Sequence, residues 1–232
     1  MADSLANLET LRGAQDGLIR KMVGGGAILL APIDTEIADD FAMTDTDGSL
    51  KLLPGFRGLG RIAKAGAPNF TPEDTEETVE TWGELEPSRS DVTLSKLTVT
   101  ATLQDTRKET LALAANRPFS EMDAVEAAAN GEIQFTDNPI PTTIEYRAFY
   151  LGVDGVGDDA FFFGRLLPRV KITRGPENWD PTQAVNYPLT VTAFKDNTLG
   201  YSSKRFYGGP GAKKRLEAMG FAAASAPTGD EG

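Results

Sequence analysis

The distribution of turn-forming residues limits the folds that are open to this chain. Fourteen prolines and twenty-four glycines are spread over 232 residues rather than concentrated in one segment. Proline interrupts helices and central strands, and glycine supplies turn conformations, so the segments between them stay short. A hydrophobic content of 40% is enough to build a packed core. We therefore expect one folded domain that is mainly β, with a minor helical (α+β) part.

Residues 91–103 (DVTLSKLTVTATL) give the strongest strand signal. Apolar residues alternate in one phase at Val92 and Leu94 and in the other phase from Leu97 onward. A slip of one residue reverses the face that is buried, so the pattern predicts a β-bulge or bend near Lys96. The less buried face beyond the slip is expected to carry Thr98, Thr100 and Thr102.

The other elements are predicted from shorter signals. A Thr-x-x-Glu capping box at Thr106 and Glu109 predicts a helix over 106–116, which ends before Pro118. Strands are predicted at 27–33, 132–136, 143–151, 160–174, 189–195 and 199–206, and weaker helices at 121–129 and 213–219. The glycines and aspartates of 152–159 are typical of a hairpin turn. Residues 222–232 are predicted to be a disordered tail.

The sequence contains no histidine and no cysteine. These residues supply the commonest general base, the thiol nucleophile and the usual soft metal ligands. Their absence excludes a Ser-His-Asp triad, a His/Cys zinc site and any disulfide. We therefore predict a protein that is not an enzyme, without catalytic residues, cofactors or metal ligands.

Charge and hydropathy argue against two further classes of protein. The formal net charge is −11 at pH 7, whereas affinity for a phosphate backbone comes mainly from lysine and arginine. No apolar run approaches the roughly 20 residues that a membrane-spanning helix needs. We expect neither a nucleic-acid binder nor a membrane protein.

Residues 48–69 form a long segment rich in glycine and basic residues. The segment contains four basic residues and no acidic one. Its apolar residues fit neither a helical nor a strand period, and long loops of this kind are usually functional. The side chains that we single out as an inter-subunit stacking loop are Leu52, Leu53, Phe56, Arg57, Leu59, Arg61 and Ile62.

Residues 71–91 carry the opposite charge, with Arg89 as their only basic residue. The acidic residues that we single out as acceptors for the loop, or as candidates to line a lumen, are Glu73, Asp74, Glu76, Glu77, Glu80 and Glu84. The basic loop and the acidic strand could pair within one subunit, or the loop of one copy could bind the strand of another. The sequence leaves both alternatives open.

Few residues suggest small-molecule chemistry. The triple glycine at 24–26 lacks the spacing of a phosphate-binding loop, and 45–48 (DTDG) lacks the distal glutamate of a calcium loop. Asp158 and Asp159, or the acidic run, could serve a metal-binding β-sandwich or a carboxylate-based hydrolase, but no convergent partner is readable. Trp82 and Trp179 are interpreted as core or interface anchors.

The order of segments resembles the major tail tube proteins of long-tailed bacteriophages, especially those that infect actinobacteria. The resemblance covers residues 24–221. It is carried by the apolar strand before the basic loop, and by TWGELEPSRSDVTLSKLTVTATLQDTRKETLAL. It also includes IEYRAFYLGVDG with FFFGRLLPRVKI, and the closing GPGAKKRLEAMGF.

This resemblance implies a β-sandwich or barrel-like tail tube fold with one flanking helix and no catalytic residues. It implies an N-terminal arm at 1–22, a tail tube domain at 23–209 and a C-terminal extension at 210–232. Six copies would close into a ring, and rings would stack into a hollow tube through the 48–69 loop.

The resemblance also implies partners and a location. The chain would assemble with itself, with the tape measure protein, with the tail terminator and with distal tail or baseplate proteins. Double-stranded DNA would pass through the lumen without specific binding, and the tail would assemble in the host cytoplasm. A tail terminator, a decoration protein and, more remotely, the hydrolase remain as alternatives.

Overall fold

Eight antiparallel strands form one sheet in the part of the chain that a computed structural model describes, which is residues 11–13, 15–140 and 143–222. The strands are β1 (Gly26–Pro32), β2 (Arg57–Gly58), β3 (Asn69–Val79), β4 (Arg89–Leu103), β5 (Glu145–Asp154), β6 (Phe161–Arg174), β7 (Tyr187–Phe194) and β8 (Lys204–Gly208). The helices are α1 (Lys108–Ala114), α2 (Phe119–Asp123) and α3 (Pro210–Lys213), each of seven residues or fewer. The mainly β class predicted from the sequence is confirmed.

The sheet branches at β6. The strand order is β2-β1-β5-β6-β7-β4-β3, and β8 also pairs with β6. The first half of β6 pairs with β8 and the second half pairs with β7, beginning at Arg169. Pro168 lies between the two halves, and its lack of an N–H group suits a position where no ladder bond is made on that side. The branch separates the protein into two apolar cores.

The major core lies between the sheet and the helices α1 and α2. Strand residues with alternate spacing point into it, including Leu97, Val99 and Leu103 of β4. Phe119 and Met122 of α2 close it from the other side. The minor core surrounds Phe149, which packs edge-on against Phe41 with 5.8 Å between ring centroids.

A polar cluster fixes the branch point. The Arg147 guanidinium donates to the Pro168 carbonyl at 3.0 Å and to the Asp196 carboxylate at 3.1 Å. The other Asp196 oxygen accepts from the backbone N–H groups of Thr198 at 2.8 Å and Leu199 at 3.1 Å. Asp196 is buried. Burial raises its pKa, but the two N–H groups and Arg147 lower it, and the lowering prevails.

This cluster predicts acid-sensitive stability. The pKa of Asp196 in the folded protein lies below its usual value of about 4. The stabilisation that the ionised carboxylate gives the fold is therefore complete above about pH 4, and it is lost as the pH falls through the lowered pKa. We expect Asp196→Ala to lower the free energy of unfolding by about 3 kcal/mol at pH 7, since it leaves Arg147 uncompensated. Urea unfolding at pH 7, 4 and 2.5 should show the difference shrinking with acidification. Asp196→Asn keeps an acceptor for the N–H groups and removes only the negative charge, so it measures the effect of the charge alone. A difference in the free energy of unfolding that does not change with pH would contradict the prediction.

Most predicted strands are present, but several local predictions were wrong. The helix predicted at 121–129 is α2, which ends at Asp123, and the strand predicted at 199–206 is β8, which begins only at Lys204. Helix α1 lies within 106–116, yet its N-cap is Arg107 without a side-chain hydrogen bond, and Thr106 instead lies 3.3 Å from the Tyr187 hydroxyl. The strand predicted at 132–136 is only an isolated bridge between Ala127 and Ile133. The C-terminal helix begins and ends earlier than 213–219. Half of the proposed arm at 1–22, and the tail after residue 222, lie outside the described residues.

Candidate assembly interface

Strands β3 and β4 extend beyond the body as a two-stranded arm, which we define as residues 71–96. Strand β4 pairs with β7 only from Leu97 to Leu103, so its first half has β3 as its only described neighbour. Every residue from Thr71 to Lys96 is exposed. An isolated two-stranded hairpin is marginally stable in water, and an unpaired strand edge invites pairing with another chain. The arm therefore has the properties of a surface that another protein covers.

The tip of the arm is an ordered turn that carries apolar side chains. Trp82 and Leu85 have relative exposures of 103% and 105%. The Ser88 N–H donates to the Val79 carbonyl at 2.9 Å, and Gly83 has a φ of 91°, which favours glycine. The interpretation of Trp82 as a core residue was wrong. Its interpretation as an interface anchor stays a prediction, and full exposure of a tryptophan beside a leucine is consistent with it.

The bulge predicted in β4 is present, but it lies at Thr93 rather than at Lys96. Thr75 pairs with Leu94 while Glu76 pairs with Val92, so one residue of β4 is extra. Strand β3 keeps its alternation, because the extra residue belongs to β4. The bulge therefore changes the face on which Val92 lies without moving the acidic residues of β3.

The acidic residues of β3 lie on both faces of the arm. Glu73 and Glu77 share one face, where the Lys96 ammonium lies 3.9 Å from the Glu73 carboxylate. Asp74 and Glu76 share the opposite face, which continues the major-core side of the sheet. Glu80 and Glu84 lie in the turn, and the Ser88 hydroxyl donates to Glu84 at 2.7 Å. The six candidates are thus brought onto one element but not onto one surface.

The 48–69 segment lies against the body and does not project as a loop. Leu59 is fully buried, and its N–H donates to the Ile28 carbonyl at 2.9 Å. Ile62 packs against the major core, and Leu53 and Phe56 pack against the minor core. Leu52 has a relative exposure of 96%, Leu50 one of 43%, and Arg61 is also exposed. Leu59 is fully buried in its own subunit and does not await another copy, whereas the role of the other residues of this segment in stacking stays a prediction.

The basic residues of this segment also make contacts within the body. Arg57 makes two hydrogen bonds to the Asp123 carboxylate, at 2.8 and 2.7 Å, which lower the pKa of Asp123. The backbone N–H of Arg61 donates to Asp105 at 3.0 Å. No ion pair among the described residues joins 48–69 to the arm. The alternative in which the two segments pair within one subunit is not what the structure shows.

The candidate chemical sites do not assemble. Asp159 lies 3.6 Å from Lys214 and 3.7 Å from Arg215, as expected for a surface carboxylate with cationic partners. Over the described ranges, no group of three or more Asp or Glu residues could hold a metal ion. Trp179 is exposed at the rim of a cavity of about 530 Å³ beside α1, whose other lining residues include Leu111 and Phe135. None of the helices in the described ranges has the length and apolar character to cross a bilayer.

Sequence reasoning did not identify the arm, although a signal for it existed. Residues 71–79 contain three threonines and one valine among the acidic residues, and 80–88 contain Gly83 and Pro87. Threonine and valine favour strands, and the glycine and proline favour a turn before the strong strand at 91–103. The high acidic content concealed the hairpin, because acidic residues are depleted in ordinary strands.

A single antiparallel sheet with an exposed two-stranded arm defines a β-rich fold. The family model described as phage tail tube protein matches residues 13–202, which is most of the chain. The chain belongs to this family, and it is a structural component of a bacteriophage tail. A search of curated proteins found no match.

Proposed function

We propose that this protein forms hexameric rings that stack into the hollow tube of a long-tailed phage, through which the genome passes to the host. The observation that carries the proposal is the exposed β3–β4 arm with its apolar tip. An arm that one subunit leaves uncovered fits a chain whose folded state is completed by neighbouring copies.

The open face of the sheet, which we define as the side of β3, β4, β7 and β6 opposite the major core, is suited to line the lumen. Thr98 and Thr100 of β4 pair across this face with Thr192 and Thr190 of β7. Its cations are held by carboxylates: besides the Lys96–Glu73 pair, Arg169 donates to Glu145 at 2.7 Å. A wall of hydroxyls and paired charges offers few free cations to DNA phosphates, so DNA would slide without binding.

The remaining parts of the proposal rest on the resemblance in segment order. The resemblance implies a phage with a long tail that infects actinobacteria, and assembly of the tail in the host cytoplasm. The tape measure protein, the tail terminator and the distal tail or baseplate proteins are the other partners, and the subunit has no catalytic function.

Electron microscopy of the purified protein tests the proposal. We expect six-fold rings and tubes after concentration, because self-association rises with subunit concentration. Persistent monomers at millimolar concentration would contradict it. Single rings that never stack would favour a tail terminator, and binding to capsids without rings would favour a decoration protein.

A further inference from the structure

Residues 204–215, which we call the basic segment, concentrate positive charge at the end of the described chain. They comprise β8, α3 and the turn after it, and they contain no acidic residue. The basic residues are Lys204, Arg205, Lys213, Lys214 and Arg215. Only Lys214 and Arg215 make described ion pairs, and both use the same carboxylate, that of Asp159. The segment therefore presents more positive charge than its own subunit compensates.

The backbone holds the basic segment firmly on the body. Gly209 has a φ of 97°, and a Cβ there would lie 2.6 Å from the Ala160 carbonyl oxygen. The Gly211 N–H donates to the same carbonyl at 2.8 Å. The cations thus occupy a fixed surface, which lowers the entropic cost of binding a partner.

Two arginines within this region face each other directly. Arg205 of β8 is the cross-strand partner of Arg165 of β6, and like charges in this arrangement are destabilising. Burial and then the charge of Arg205 lower the pKa of Arg165. Within the described ranges no carboxylate pairs with either residue. Arg165 donates to the Ser203 hydroxyl at 2.8 Å and lies 4.6 Å from the centroid of the Phe70 ring, whereas Arg205 is exposed. Arg205 is therefore the cation of this pair that an anionic partner would relieve.

The arm carries the complementary charge. Residues 71–91 contain eight acidic residues and one basic residue. The described ion pairs of the arm occupy only two of these carboxylates, through Lys96–Glu73 and Arg89–Asp91. In the described ranges no ion pair joins the arm to the basic segment of the same copy, although each has unpaired charges of opposite sign.

We propose that the basic segment is the docking site for the acidic arm of a second copy of this chain. The inference rests on the proposed self-assembly and names the surfaces that meet. Tyr207, half exposed beside Arg205, offers an apolar contact for the arm, and Arg205 is free to lie against the ring of Trp82. Because arm and segment are different surfaces, the contact is heterologous and generates rings or filaments rather than a closed dimer.

DNA is the competing anionic partner, and two observations favour the arm. The whole chain has a charge of −11, which opposes approach of a polyanion. The arm combines its carboxylates with exposed apolar side chains, which a phosphate backbone lacks. The proposal therefore commits to a second copy and makes DNA binding an outcome of the test.

The test reverses the sign of charged residues on the basic segment, on the arm, or on both. Arg205→Glu/Lys213→Glu changes two cations that make no described ion pair, although the charge of Lys213 contributes to lowering the pKa of Asp47. Glu77→Lys/Glu80→Lys changes two acids of the arm that make no described ion pair. We expect either pair of changes to reduce the sedimentable assembled fraction by about tenfold or more, and the four changes in one chain to restore most of it. Lys64→Glu/Lys195→Glu, which changes two exposed cations outside the singled-out residues, is the matched control and should assemble normally. Melting temperature and monomer size confirm that each variant is folded.

Distinct outcomes would overturn the inference. Normal assembly of Arg205→Glu/Lys213→Glu, or rescue of the arm variant by Lys64→Glu/Lys195→Glu instead, would refute this docking site while leaving tube formation intact. Binding of a fluorescent DNA duplex at physiological salt, lost in Arg205→Glu/Lys213→Glu while assembly persists, would assign the segment to DNA. A wild-type protein that forms no rings would overturn both the proposed function and this inference.

Discussion

Replacement of Trp82 and Leu85 by serine is expected to abolish tube formation while leaving the folded subunit intact. Both side chains are fully exposed in the subunit, so their removal sacrifices no packing within it. Buried in an interface, a tryptophan covers about 150–250 Å² and is among the residues most often found at binding hot spots. Because each ring would present several arms at once, the loss is multiplied in the assembled tube.

The measurement combines electron microscopy with thermal unfolding of Trp82→Ser/Leu85→Ser. We expect no tubes at concentrations where the wild type is fully polymerised, and a melting temperature within about 2 °C of the wild-type monomer, as for surface substitutions. Leu52→Ser is the comparison, since Leu52 is the most exposed apolar side chain of the segment that the sequence indicated for stacking. Tubes from the arm variant and none from Leu52→Ser would assign stacking to the 48–69 segment instead.

The largest expected loss of stability comes from Phe149→Ala. Phe149 is 1% exposed and lies between Phe41 and Phe206 in the minor core. Its ring covers Gly164, where an added Cβ would lie 2.9 Å from the Phe149 Cζ atom. Truncation leaves a cavity that this strand junction has little freedom to close, so we expect a loss of about 3–5 kcal/mol.

Thermal unfolding of the monomer measures this effect. A loss of that size lowers the melting temperature by roughly 6–20 °C for a chain of this length. Phe194→Ala is the control, because Phe194 is exposed on the open face and contacts only the Lys171 ammonium among the described ring contacts. Equal shifts for the two variants would show that the minor core does not stabilise the fold.

The sequence predicted the strands whose side chains alternate, because burial of one face imposes a period of two. Residues 91–103 gave both the strand and the slip in its phase, and the structure moves that slip only from Lys96 to Thr93. The strand predicted at 132–136 failed since its alternation had no neighbouring strand to pair with. The capping box at Thr106 failed because the hydroxyl lies near Tyr187, a residue far away in sequence.

The candidate interface was predictable in its composition but not in its geometry. The acidic run and the basic loop are visible as opposite charges, and the sequence left open whether they meet within one subunit. The structure shows the loop packed onto the body, through Leu59 and through Arg57 with Asp123. In the basic segment, Lys204 and Arg205 make no described ion pair, and Arg205 is exposed.

The sequence by itself determined the mainly β class, the absence of histidine and cysteine chemistry and the position of the strong strands, because these depend on residue type and local period. Only the tertiary structure decided which apolar side chains are buried and which are exposed to solvent. Leucines at 52 and 59 are alike in sequence, yet one is in solvent and the other is fully buried. That difference depends on which distant strands pair, and it makes the arm, not the 48–69 segment, the element that projects from the body.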